Sequence, residues 1–139
     1  MYSSLESMKI IAPTLKREEE ATEANIADII SQLVGRHDPF AILEKTELTY
    51  IQTLWTPEGF DLEYQERDLM HHYQIRPPIP QRDVISVFQV YLRGEEYWKS
   101  EFEFRLKNIA TLRYKIGYYL GAFFGGFIRG FREAREKRN

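Results

Sequence analysis

The stretch LTYIQTLWTPEGFDLEY, from Leu48 to Tyr64, decides the fold of this chain. Its first half is rich in β-branched and aromatic side chains, which are typical of strands. Residues Thr56 to Gly59 place proline and glycine where a turn needs them, and from Phe60 onward apolar and acidic residues alternate. Because strands so close in sequence can pair only antiparallel, the stretch predicts a β-hairpin.

Segments with the same two-residue period extend this hairpin on both sides. Residues 40–45 predict a strand before it and residues 69–75 predict another after it, so the centre of the chain is a predicted meander of four strands. Residues 101–106 alternate again and predict a last strand. The sheet is therefore expected to be antiparallel, with four to five strands.

Helical periodicity marks two further segments. In residues 17–34 apolar residues recur every three or four positions, acidic residues precede them and Gly35 follows as a stop signal. Residues 81–93 show the same spacing and end at Gly94. The predicted fold class is α+β: a meander flanked by an N-terminal helix, a helix at about 81–93 and a long amphipathic C-terminal helix.

The C-terminal helix, predicted for residues 108–139, follows a loose lead-in at 1–16 and a single α+β domain at 17–107. Gly117, Gly121 and Gly125 fall four residues apart in it. Each glycine costs a helix about 1 kcal/mol relative to alanine, so this zipper-like spacing favours the close approach of another backbone. Bulky apolar residues form a stripe beside the glycines, and they are Ile116, Leu120, Phe123, Phe124, Phe127 and Phe131.

Charge divides the chain into an acidic body and a basic tail. Residues 1–104 hold ten lysines and arginines against nineteen aspartates and glutamates, a net charge of −9, whereas residues 105–139 hold nine against two, a net charge of +7. The basic side of the predicted helix carries Lys115, Arg129, Arg132 and Arg135. We expect this tail to contact an acidic surface, which is anionic lipid, nucleic acid or the acidic body of this protein or of a neighbour.

Composition bounds the class of protein. With 43% hydrophobic residues the chain is expected to fold rather than remain disordered. It has no cysteine, which excludes disulfides and thiol chemistry and fits a cytoplasmic location. The first residues predict no secretory signal. The longest apolar run, Ile116 to Ile128, has 13 residues, which is too short to span a bilayer, so any membrane association is expected to be peripheral.

Motifs for catalysis or cofactor binding are not found in the sequence. His71 and His72 are adjacent on a predicted strand, so their side chains point to opposite faces and cannot hold one metal ion together. The glycines at 121–126 follow no strand and lack a phosphate-loop lysine. We therefore predict no enzyme activity, no metal and no cofactor. A nucleic-acid partner is unlikely, because the acidic body repels phosphates and no base-reading element is found.

Acidic residues on the predicted strands alternate with apolar ones, at Asp61, Glu63, Glu101 and Glu103. This pattern predicts the solvent side of a half-buried sheet, and these four residues form an acidic recognition surface if they share one face. Trp55 and Trp98 are candidates for stacking on a ligand, but tryptophans in a small α+β domain more often anchor the core.

Residues 40–106 resemble a group of small bacterial proteins. The resemblance rests on Tyr50 to Leu54, Gly59 to Gln65, His71 to Tyr73, Val84 to Phe88, Tyr91 to Gly94, Trp98 and Phe102 to Phe104. The group comprises uncharacterised cytoplasmic proteins and immunity proteins of polymorphic toxin systems. The resemblance implies an α+β protein that binds a partner, typically a toxin, without catalysis.

Three functions fit these observations. The first is a non-enzymatic interaction protein that self-assembles or docks through its C-terminal helix, with a homo-oligomer or another protein as its partner. The second is a peripheral membrane protein anchored on anionic lipid by that helix. The third is an immunity protein that masks a basic toxin with the acidic face of its sheet.

Overall fold

Seven antiparallel strands form one sheet in the part of the chain that the computed structural model describes, residues 7–107. The strands are β1 (Lys9–Ala12), β2 (Arg17–Glu20), β3 (Phe40–Thr46), β4 (Thr49–Thr56), β5 (Gly59–Gln65), β6 (His72–Arg76) and β7 (Glu103–Leu106). Their order across the sheet is β2-β1-β3-β4-β5-β6-β7. The predicted α+β class and the antiparallel sheet are confirmed.

Three α-helices, α1 (Glu23–Gln32), α2 (Gln81–Leu92) and the short α3 (Trp98–Glu101), complete the described part together with a 3-10 turn at Pro13–Leu15. A capping box starts α1, because the Thr22 hydroxyl accepts the Asn25 N–H at 3.0 Å and the Asn25 side-chain oxygen accepts the Thr22 N–H at 2.8 Å. Helix α2 ends before Gly94, whose φ of +81° suits glycine.

The N-terminal region corrects two predictions. The sheet has seven strands rather than four to five, because residues assigned to the lead-in and to the start of a helix form the β1–β2 hairpin. The helix predicted at 17–34 is confined to Glu23–Gln32. Its acidic start is edge strand instead, where the Arg17 guanidinium lies 2.5 Å from Glu19 and 2.7 Å from Asp28 and ties β2 to α1. The C-terminal helix predicted at 108–139 lies outside the described residues.

One face of the sheet, here called the helix-side face, packs against the helices. Every second residue of the strands points to it, so that apolar side chains of five strands meet those of α1 and α2 in one core. Its central members, each at most 3% exposed, are Ile10, Leu43, Ile51, Leu62, Ile75, Ile26, Ile29, Ile30, Leu33, Val84, Val87, Phe88 and Val90. This packing is the main source of the stability of the domain.

The opposite face, here called the far face, carries the alternate strand residues. Its centre consists of Ile11, Phe40, Ile42, Tyr50, Gln52, Glu63, Gln65 and His72, each at most 4% exposed. Between residues 7 and 107, the buried side chains of all three α-helices belong to the helix-side core. Over the same range no helix has the length and apolar character needed to cross a membrane.

Candidate functional site

A cluster of buried polar side chains lies on the far face. His72 Nε2 lies 2.7 Å from Glu63 Oε1, and His72 Nδ1 lies 3.1 Å from Gln65 Oε1. The Tyr50 hydroxyl donates to the same Gln65 oxygen at 3.3 Å. Strand register brings these residues together, because Gln65 is the cross-strand partner of His72 on one side and of Tyr50 on the other.

The hydrogen bonds of this cluster fix the orientation of the Gln65 amide and place a proton on His72 Nδ1. Gln65 Nε2 donates to the Leu48 carbonyl oxygen at 3.1 Å, so Gln65 Oε1 is the atom that faces His72, and His72 Nδ1 must donate to it. One further proton lies between His72 Nε2 and Glu63 Oε1. The pair is therefore either imidazolium with carboxylate or imidazole with carboxylic acid. Both states carry no net charge, which lowers the cost of burial.

Gln52 lies beside this cluster, next to Glu63 across the strand pair. Its cross-strand neighbours are Glu63 on β5 and Ile42 on β3, and it is 1% exposed. Neither its Oε1 nor its Nε2 has a hydrogen-bond partner in the described part of the chain. A buried polar group without a partner costs about 1–3 kcal/mol. The far face thus offers polar as well as apolar groups to whatever binds it.

Three of the four acidic residues predicted to share a face lie on the far face. Asp61 and Glu63 follow each other there along β5, and Glu103 lies on the same side through its pairing with Arg76. Glu101 does not, because it belongs to α3 and the last strand begins only at Glu103. The prediction that Glu63 lies on the solvent side is wrong, since this residue is 2% exposed.

The predicted interface residues of the C-terminal segment, from Lys115 to Arg135, lie outside the described residues. Among residues 7–107 no three His, Asp or Glu side chains come close enough to hold a metal ion. The two adjacent histidines have separate environments. His71 bonds to Asp68 at 2.7 Å on the surface, whereas His72 is fully buried.

A second candidate site is a cleft of about 320 Å³ between the end of β5 and the α2–α3 region, here called the aromatic cleft. Tyr64, Tyr91 and Trp98 form its aromatic wall. The Tyr64 and Trp98 rings meet edge to face with centroids 4.9 Å apart, and the Tyr91 ring centroid lies 5.9 Å from that of Trp98. Such edge-on contacts are favourable between aromatic rings.

Lys99 contacts this aromatic wall with its ammonium group. Its Nζ lies 2.6 Å from Glu66 Oε2, also bonds to Glu96, and sits 5.5 Å from the Tyr64 ring centroid. Burial lowers the pKa of Lys99, but its hydrogen bonds to the two carboxylates outweigh burial and raise that pKa overall. Burial raises the pKa of the neighbouring Tyr64 hydroxyl to about 12. Lys99 is therefore held as a charged group whose charge is already balanced.

Tyr91 differs from its neighbours in the aromatic cleft because its hydroxyl is buried and has no hydrogen-bond partner in the described structure. Burial, and then the charges of Glu66 and Glu96, raise the pKa of Tyr91. The hydroxyl therefore keeps its proton and remains a hydrogen-bond donor.

Comparison with known proteins finds no relative, since no protein-family model, no curated protein and no solved structure matches this chain. The resemblance to immunity-type proteins stays a prediction. The far face and the aromatic cleft are therefore the features of this protein that bear on its function.

The sequence pointed to Glu63, His72 and Trp98 singly, but it did not predict the contacts that join them to their neighbours. Gln52 and Gln65 interrupt strands that are otherwise apolar, β-branched or acidic, and that interruption is the one signal that could have indicated a buried polar position. The contacts of His72 depend on strand register across the loop at 66–71, and those of Lys99 depend on the position of α3. Neither of these can be read from residue types.

Proposed function

We propose that this protein is a non-catalytic protein-interaction module, and that the far face is the receptor surface for its own C-terminal segment, residues 108–139. The observation that carries the proposal is the burial of Ile42 and Tyr50, both 0% exposed, on a face to which no helix of the described range contributes. Apolar side chains at such positions are stable only when another surface covers them.

The length of the chain outside the described range favours this occupant. Six residues precede the range and thirty-two follow it. Six strand spacings amount to roughly 29 Å, and a chain of thirty-two residues can span more than this distance. Lys107 directly follows β7, and its N–H donates to the His72 carbonyl oxygen at 2.9 Å. The length of residues 108–139 is therefore sufficient to cross the sheet.

Chemistry favours the same occupant. The segment contributes an apolar stripe, with Phe123 and Phe127 at its centre, to match Ile11, Phe40 and Ile42. Its excess of basic residues matches a body that carries a net charge of −9 over residues 1–104. On this proposal the apolar residues of the segment are not available to lipid, so we favour a protein partner for its basic residues Lys115, Arg129, Arg132 and Arg135.

Replacing Phe123 and Phe127 by aspartate in the full chain tests the proposal. We expect backbone amides of β3 and β4 to exchange with solvent about tenfold faster or more, because a loss of only about 1.4 kcal/mol in protection has that effect. Hydrogen exchange followed by mass spectrometry measures this change, and binding of a hydrophobic dye to the newly accessible far face is expected to accompany it.

The matched control replaces Lys115 and Arg132, on the basic side of the segment, by glutamine, and it should leave the exchange unchanged. Equal exchange in the phenylalanine variant and the wild type would contradict docking on the far face. A wild-type mass of twice 16.6 kDa by light scattering that falls to one chain in the phenylalanine variant would assign the occupant to a second copy. Phenylalanine-dependent binding to phosphatidylserine vesicles would favour the membrane-associated alternative instead.

A further inference from the structure

We propose that the aromatic cleft is a binding site for a small neutral molecule with an aromatic body and one hydrogen-bond acceptor, to which the Tyr91 hydroxyl donates a hydrogen bond. This site is separate from the far face, because its wall is formed by Tyr64 and Trp98 of the helix-side core. The volume, about 320 Å³, is at the lower end of the range for small-molecule sites.

The charges around the cleft favour a neutral ligand. Three cationic side chains line it, Lys45, Arg67 and Lys99, and three carboxylates line it, Glu66, Glu95 and Glu96. The most enclosed of the cations, Lys99, already bonds two of these carboxylates. An anion would face Glu66 and Glu96, and a cation would have to displace Lys99 from them. A ligand without net charge meets neither cost.

The Tyr91 hydroxyl supplies the polar requirement. Buried hydroxyl groups are normally hydrogen-bonded, so one that has no partner among residues 7–107 indicates a missing acceptor. The rings of Tyr64, Tyr91 and Trp98 line the cleft, and aromatic rings stack or meet edge to face with one another, so the lining favours an aromatic body for the ligand over an aliphatic one. An aromatic carbonyl compound satisfies both features.

The test uses four one-ring probes on the full chain, with binding followed by NMR shifts of the cleft residues. Two probes are neutral: N-methylbenzamide has a carbonyl acceptor, and toluene has none. The other two are charged: benzoate is an anion, and benzylammonium is a cation. We expect N-methylbenzamide to bind most tightly. Replacing Tyr91 by phenylalanine should weaken the binding of N-methylbenzamide by about 3- to 10-fold, which is the usual effect of one hydrogen bond. The binding of toluene should not change.

Tyr97→Phe is the matched control, because Tyr97 is close to Tyr91 in sequence but 51% exposed. This variant should bind both neutral probes with unchanged affinity. Without any probe, Tyr91→Phe is expected to unfold at the same or a higher denaturant concentration, since the Tyr91 hydroxyl has no partner within the described range to lose. Tighter binding of benzoate or benzylammonium would overturn the proposal. So would the absence of shifts at cleft residues with all four probes, which would show a cleft that holds water only.

Discussion

Replacing His72 by leucine is expected to lower the free energy of unfolding by about 3–5 kcal/mol, because it removes one partner of a buried pair and leaves the other behind. Glu63 is 2% exposed, and its Oε1 lies 2.7 Å from His72 Nε2. Without the imidazole, the carboxyl group keeps its burial and loses this hydrogen bond. Gln65 Oε1 loses a donor as well. Urea denaturation of the full chain, followed by circular dichroism, measures the loss.

The adjacent histidine provides the control for this variant. His71 differs from His72 in being exposed and in bonding to Asp68 at the surface. His71→Leu should therefore lower the free energy of unfolding by at most about 1 kcal/mol, as is usual when an exposed ion pair is lost. The double variant Glu63→Leu, His72→Leu should be more stable than the sum of the two single losses predicts, because each single variant already loses the contact between the two side chains. Equal losses for the two histidine variants would contradict the buried pair.

The sequence predicted the centre of this fold because local chemistry specifies it there. The turn residues Thr56 to Gly59 and the strands on either side form a hairpin in the structure within one residue of the prediction. The first hairpin was missed because its strands have only four residues each, too few to show a period, and because Glu18 to Glu20 resemble the acidic start of a helix.

The two sites could be predicted only in part. Alternation along β5 showed that Asp61 and Glu63 share one face, but it could not show that the centre of that face is buried. The environment of Glu63 is set by His72, nine residues away, through the pairing of β5 with β6. Strand register is a property of the whole sheet. Residue types alone therefore predicted which residues share a face, but not which of them hydrogen-bond to each other.

The second large effect concerns Trp98, which the sequence predicted as a core anchor and which is 1% exposed. Replacing it by alanine is expected to lower the free energy of unfolding by about 3–5 kcal/mol, as for other buried large side chains. The ring contacts Tyr64 and Phe104 edge to face, with centroids 4.9 and 5.7 Å away, so its loss removes packing between α3 and two strands. Guanidinium denaturation followed by far-ultraviolet circular dichroism measures the change.

Two variants separate the contributions to this effect. Trp98→Phe keeps an aromatic ring but removes the Nε1 donor, which bonds to the Glu95 carbonyl oxygen at 3.0 Å. Its free energy of unfolding should therefore fall by about half as much as that of the alanine variant. Trp55→Ala is the matched control, because Trp55 is only partly buried against the same core. This variant should lower the free energy of unfolding clearly less than Trp98→Ala does. Equal losses for Trp55→Ala and Trp98→Ala would contradict the anchoring role. Since the Trp98 ring is also a wall of the aromatic cleft, the phenylalanine variant should alter probe binding there while the domain remains folded.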